Sequence, residues 1–76
     1  MQVWINPLMK NEVIQFGKKL REVRLKKNLS QGDIARILGV HRSYISGLER
    51  GRRNPSLLTV QKIAKALGVN VNKLIS

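Results

Sequence analysis

The side chains that could do chemistry in this 76-residue sequence are overwhelmingly cationic. Fifteen lysines and arginines stand against four acids, which gives a net charge of +11. His41 is the one histidine, and the sequence has no cysteine. Catalysis and metal binding need clusters of groups that four acids and one histidine do not provide. We therefore expect no enzyme, no metal site and no cofactor.

The excess of positive charge predicts a polyanionic partner, either a nucleic acid or an anionic membrane surface. A membrane protein would need an apolar run of about 18 residues, or a helix with one basic and one apolar face. The sequence has no such run, because its apolar residues 1–9 are interrupted by Pro7 and lack the organisation of a secretory signal. We expect a nucleic-acid partner, no membrane association and a cytoplasmic location.

A short basic segment stands out between positions 42 and 54. Its cations are Arg42, Arg50, Arg52 and Arg53. A helix is predicted to carry the first of them, because Ile45 and Leu48 recur at helical spacing and Gly51 is typical of a helix end. The spacing predicts a helix from Arg42 to Arg50, followed by a loop.

Two further helices are predicted before this one. The first begins at Asn11 and ends near Asn28. Its apolar residues, at steps of three and four, are Val13, Phe16, Leu20 and Val23. The second follows Ser30, which forms an approximate capping box with Asp33, and it ends at Gly39. Its inward residues are Ile34, Ala35 and Leu38. At about two turns, it is too short to persist without tertiary packing.

Two helices are predicted after the basic loop. Ser56 caps the fourth helix, which ends at Gly68, and Asn70 opens a short fifth helix. Because no strand is needed to build a core, the predicted fold class is all-α with five helices. We assign residues 11–76 to one domain and residues 1–10 to an N-terminal arm of unknown role, which includes Trp4.

Helices two and three have the pattern of a helix-turn-helix, in which short helices flank a tight turn containing glycine. Gly39 occupies the turn and the small Ala35 allows a close crossing. The matching motifs are Leu29-Ser30-Gln31, Ile34-Ala35, Gly39-Val40, Tyr44-Ile45-Ser46, Leu48-Glu49-Arg50-Gly51 and Asn54-Pro55-Ser56. In these motifs the chain resembles the phage repressor and Cro (XRE-like) family over about residues 16–75. Residues 41–54 are especially similar to controller proteins of restriction–modification systems.

This resemblance implies a lambda-repressor-like domain that regulates transcription. It implies a protein that is encoded by a bacterium or a phage and acts at the nucleoid. It implies a homodimer on a pseudo-palindromic operator in double-stranded DNA, with helix three in the major groove. The base contacts that it implies are Arg42, Ser43, Ser46 and Gly47. We expect Gly47 to be exposed, where it would either leave a groove contact empty or let the backbone approach the DNA closely.

Phosphate contacts are assigned to six residues: Gln31, Tyr44, Arg50, Arg52, Arg53 and Asn54. Gln31 is included because the free amides at the start of helix two favour an anion. The resemblance also implies a structural ion pair between Arg24 and Glu49 that fixes helix three to the scaffold. His41 stands where the family commonly has a serine or threonine cap, so the strength of this cap is open.

The apolar residues near the C-terminus have two interpretations. They could form the dimer interface or complete the core of the monomer; they are Val69, Val71, Leu74 and Ile75. No small-molecule ligand is expected, since the chain has no ligand domain, whereas RNA polymerase would be a partner if binding activates transcription. The alternative function is a protein-interaction adaptor or antitoxin-like partner that uses Trp4 and helix five.

Overall fold

Five α-helices and the turns between them make up residues 10–75, the part of the chain that this computed structural model describes. The helices are α1 (Lys10–Lys26), α2 (Gln31–Leu38), α3 (Arg42–Glu49), α4 (Leu57–Leu67) and α5 (Asn72–Ile75). No strand occurs within these residues, and the all-α, five-helix prediction is confirmed. Of the arm predicted for residues 1–10, Lys10 belongs to α1 and Trp4 lies outside the described residues.

Local hydrogen bonds determine where most helices begin and end. The Ser30 hydroxyl accepts from the Asp33 backbone N–H at 2.9 Å, and the Asp33 carboxylate accepts from the Ser30 N–H at 2.8 Å. Ser56 caps α4 in a similar way, through its hydroxyl. Gly39 and Gly68 end α2 and α4 in the left-handed conformation, with φ of 71° and 70°, which glycine adopts without steric penalty. These predicted caps are confirmed.

Three helix ends differ from the prediction. Asn11 lies inside α1 and does not cap it. The third helix is one residue shorter than expected, with Arg50 at its C-cap. The last helix begins at Asn72, because the Asn70 side chain accepts the Asn72 N–H at 2.9 Å from outside the helix.

One hydrophobic core lies between the five helices. Its fully buried large side chains include Phe16, Leu20, Ile34, Ile45, Leu48, Val60, Ile63 and Leu74. The predicted apolar stripes supply this core, whereas Val40, in the turn after α2, is 38% exposed. Within residues 10–75, no helix is long and apolar enough to cross a membrane.

Close packing of α1 against α3 places the third helix on the scaffold. A Cβ at Gly17 would collide with the carbonyl oxygen of Leu48 and lie 2.8 Å from that of Glu49. Only a residue without a side chain therefore allows the two backbones to approach this closely. The C-terminal end of α3 is thus fixed by α1, and the N-terminal end of α3 projects from the core.

Candidate nucleic-acid interface

The first turn of α3 presents polar side chains to solvent. Arg42 and Ser43 are exposed, and Ser46 is half-buried, whereas Ile45 and Leu48 lie in the core. At the N-cap, His41 has an extended backbone (φ −73°, ψ 143°), and its side chain makes no capping hydrogen bond. The amides that start α3 therefore lack the side-chain cap that Ser30 gives α2.

A buried ion pair joins α1 to the end of α3, as predicted. Arg24 Nε donates to Glu49 Oε2 at 2.6 Å, and its Nη2 donates to Oε1 at 3.0 Å. Its Nη1 donates to the Leu29 carbonyl at 2.8 Å. The hydrogen bonds to Glu49 raise the pKa of Arg24, against the opposing effect of burial. Arg24 is only 7% exposed, and these three hydrogen bonds tie α1 to the end of α3 and to the turn before α2.

Gln31 connects this buried pair to the exposed end of α3. Its Nε2 donates to Glu49 Oε1 at 3.0 Å, and its Oε1 accepts from Arg42 Nη1 at 3.0 Å. A continuous chain of hydrogen bonds thus runs from Arg24 through Glu49 and Gln31 to Arg42, and the Gln31 bonds in it are not predicted from the sequence. The Gln31 Nε2 has a second N–H, so a phosphate at this position could accept from it and from the backbone amides that begin α2.

Gly47 is not exposed, contrary to the prediction. It is buried because the Arg53 side chain lies across it, and a Cβ built on Gly47 would be 2.9 Å from Arg53 Cγ. The Arg53 guanidinium carbon lies 5.9 Å from the centroid of the Tyr44 ring, within the range of a cation–π interaction. Both interpretations of Gly47 required an exposed glycine, and the position of Arg53 contradicts them.

The loop after α3 extends the basic surface that begins at Arg42. Its polar residues are exposed: Arg50, Arg52, Arg53 and Asn54. Pro55 is fully buried and anchors the end of this loop to the domain. The structure therefore places the six residues that are predicted to contact phosphate on or beside α3. Gln31 is bonded to Arg42, and Tyr44 is half-buried beside Arg53.

The predicted dimer residues differ widely in exposure. Leu74 is fully buried within the protomer, so it completes the monomer core and offers no surface to a partner; its assignment to the interface is wrong. Val69 and Val71 are half-buried and pack against that core. Ile75 is 43% exposed and is the most exposed member of the set.

Comparison with known proteins agrees with this geometry. The HTH_3 helix-turn-helix family matches residues 20–74. Control protein C.BamHI of Bacillus amyloliquefaciens is 51% identical over 61 residues, covering 79% of this chain and 75% of that protein. Control protein C.MunI of a Mycoplasma species is 41% identical over 64 residues, covering 83% and 86%.

A solved structure shows the same fold. The restriction–modification controller protein C.AhdI from Aeromonas hydrophila superposes with a TM-score of 0.80 and is 44% identical, covering 84% of this chain and 97% of that one. The predicted family is confirmed, and these relatives are regulators rather than enzymes. The chain belongs to the HTH_3 family of helix-turn-helix DNA-binding transcriptional regulators.

Proposed function

We propose that this protein regulates transcription by binding a pseudo-palindromic operator in double-stranded DNA as a homodimer, with α3 in the major groove. The observation that carries the proposal is Arg42, exposed at the leading end of α3 and tied through Gln31 to the buried Arg24–Glu49 pair. An arginine in this position can bond O6 and N7 of one guanine, which contributes about 1–3 kcal/mol of discrimination. Because Gln31 holds one edge of the guanidinium, the side chain is oriented before the DNA arrives.

The residues around α3 are suited to contact phosphates. The exposed Arg50, Arg52 and Asn54 lie in the loop that follows the helix. Backbone amides at the start of α2 add a site for an anion on the other side. Such contacts fix the register of the helix but carry little sequence information, whereas Arg42 and Ser43 read base edges.

The small size of the reading surface supports a homodimer. One turn of α3 reads few bases, so two copies on half-sites about 34 Å apart would give the operator its length and symmetry. Ile75, with the half-buried Val69 and Val71, supplies apolar surface for this contact. The similarity to control proteins supports an operator that governs a restriction–modification system.

Selection of bound sequences from random duplex DNA tests the proposal. We expect a palindrome with a guanine in each half-site. Arg42→Ala should relax the preference at one position per half-site, while the matched variant Arg52→Ala should weaken all sequences alike. Equal losses on every sequence for Arg42→Ala would contradict its role in base reading. No enrichment of any sequence would favour the protein-interaction adaptor.

A further inference from the structure

The outer face of α3 carries a side chain that does not belong to the helix. Arg53, six residues beyond Gly47, folds back so that its stem crosses Gly47 and its guanidinium reaches the Tyr44 ring. Tyr44 and Gly47 are three residues apart and therefore share one face of the helix. Gly47 and Tyr44 together form the surface that Arg53 contacts.

This arrangement depends on the missing side chain at position 47. A Cβ there would lie 2.9 Å from Arg53 Cγ, 3.7 Å from its Nε and 3.9 Å from its Cβ. The shortest distance is below any that real Cβ atoms adopt, and Cγ lies near the base of the arginine. Rotating the guanidinium alone cannot relieve the collision, so an alanine would require the stem of Arg53 to shift away from the helix face.

A glycine inside a short helix also has a conformational cost, about 0.5–1 kcal/mol relative to alanine. The helix that bears this cost has eight residues and no side-chain cap at its N-terminus. The close fit of Arg53 offers a reason for this glycine that helix stability alone does not provide.

We propose that Gly47 is a positioning residue, whose lack of a side chain leaves room for Arg53 to lie against α3. In this position an arginine from the following loop becomes part of the DNA-reading surface. The inference rests on the proposed function. Long charged side chains lose rotamer freedom when they are immobilised on binding. Arg53 has lost part of that freedom already in the free protein, because its stem lies on Gly47 and its guanidinium lies over Tyr44.

A double-mutant cycle on the selected operator tests this role. The proteins are the parent, Gly47→Ala, Arg53→Ala and the double variant, with affinity measured by fluorescence anisotropy at one salt concentration. We expect Gly47→Ala to weaken binding about three- to tenfold when Arg53 is present, in the range expected for immobilising one long side chain. In the Arg53→Ala background the same substitution should change affinity less than about twofold.

The cycle separates this role from direct contact between position 47 and DNA. An alanine that collides with the DNA would weaken binding equally in both backgrounds, which would overturn the proposal. Undiminished affinity of Gly47→Ala in the parent background would overturn it as well. Thermal unfolding followed by circular dichroism checks that the variants fold, which we expect because alanine favours a helix interior.

A measurement without DNA separates this inference from the proposed function. NMR relaxation of the Arg53 Nε–H group should show an ordered side chain in the parent and a mobile one in Gly47→Ala. Tyr44→Phe keeps the ring and should leave Arg53 ordered. Equal mobility in the parent and in Gly47→Ala would contradict the positioning role even if the operator binds. Failure of the parent to select any sequence would instead overturn the proposed function.

Discussion

Glu49 accepts hydrogen bonds from residues at two separate points of the scaffold, Arg24 near the end of α1 and Gln31 at the start of α2. Its own position is at the end of α3, so one carboxylate holds three helices together. The Glu49 side chain is 2% exposed, which leaves little water to replace a lost partner. A change at this buried residue should therefore reach the exposed Arg42 through Gln31.

Removing the carboxylate should destabilise the fold strongly. We expect Glu49→Ala to lower the free energy of unfolding by about 3–5 kcal/mol, because it leaves the Arg24 charge buried and unpaired. Urea denaturation measures this loss. Replacing both partners by methionine should recover much of it, since no unpaired charge remains. A loss below about 1 kcal/mol for Glu49→Ala would show that solvent reaches Arg24.

Some of the side-chain contacts could be predicted from the sequence, and others could not. The Arg24–Glu49 pair was predicted because both positions match a family motif. The Gln31 bonds to Glu49 and Arg42 were missed, since they span 18 and 11 residues and depend on how α2 and α3 cross. The exposure of Gly47 was predicted wrongly, because a glycine in a helix gives the same sequence pattern whether it is exposed or covered by another side chain. Arg53 covers it only because of the path that the loop after α3 takes.

At the scale of elements, α2 is held at its N-terminus by the reciprocal bonds of Ser30 and Asp33. This cap was predictable, because all its atoms lie within four residues. The Ser30 backbone N–H, followed by its hydroxyl, lowers the pKa of Asp33 below its ordinary value of 3.8, with Arg36 adding to the shift. The carboxylate form is therefore the one that stabilises the start of the helix.

The Asp33 cap should give stability a defined pH dependence. A carboxyl with a lowered pKa in the folded state stabilises the fold above its unfolded value near 4, and this contribution disappears as the pH falls through the folded pKa. Asp33→Asn should be less stable than the parent at pH 7, and the difference should narrow as the pH falls below the ordinary Asp pKa of 3.8. Urea denaturation from pH 2 to 7 measures it; a constant difference across this range would contradict the assignment.

A second prediction for the helices concerns the close packing of α1 against α3. In Gly17→Ala the new Cβ meets backbone oxygens of Leu48 and Glu49, which cannot rotate away, so we expect a loss of about 1–3 kcal/mol. Gly32→Ala is the matched control, since its Cβ would meet the Ser30 hydroxyl at an ordinary 3.6 Å. It should be neutral or stabilising by up to about 1 kcal/mol. Thermal melts should separate the two variants; equal melting temperatures would show that the helices shift apart freely.

Across the whole molecule, positive charge is not confined to the surface around α3. Lys19, Lys26 and Lys73 line a groove between α1 and α5, where Val69 also contributes. At 3.6 residues per turn, Lys19 and Lys26 lie about 160–180° around α1 from Gly17, which faces α3. Lys19 and Lys26 therefore lie on the side of α1 turned away from the proposed DNA surface, and we expect them to raise the net charge without contacting the operator.

This distribution predicts how affinity depends on salt. Each phosphate contact releases counterions and adds about −0.9 to the slope of log affinity against log salt. Arg52→Gln should make the slope shallower by about 1.8 for a dimer, which loses one contact in each half-site. Lys19→Gln/Lys26→Gln, the matched variant, removes two charges per protomer but should change the slope by less than about 0.5, because screening over about 10 Å weakens distant charges. Titrations of operator DNA at several salt concentrations give both slopes, and equal changes would mean that DNA also contacts the α1–α5 groove.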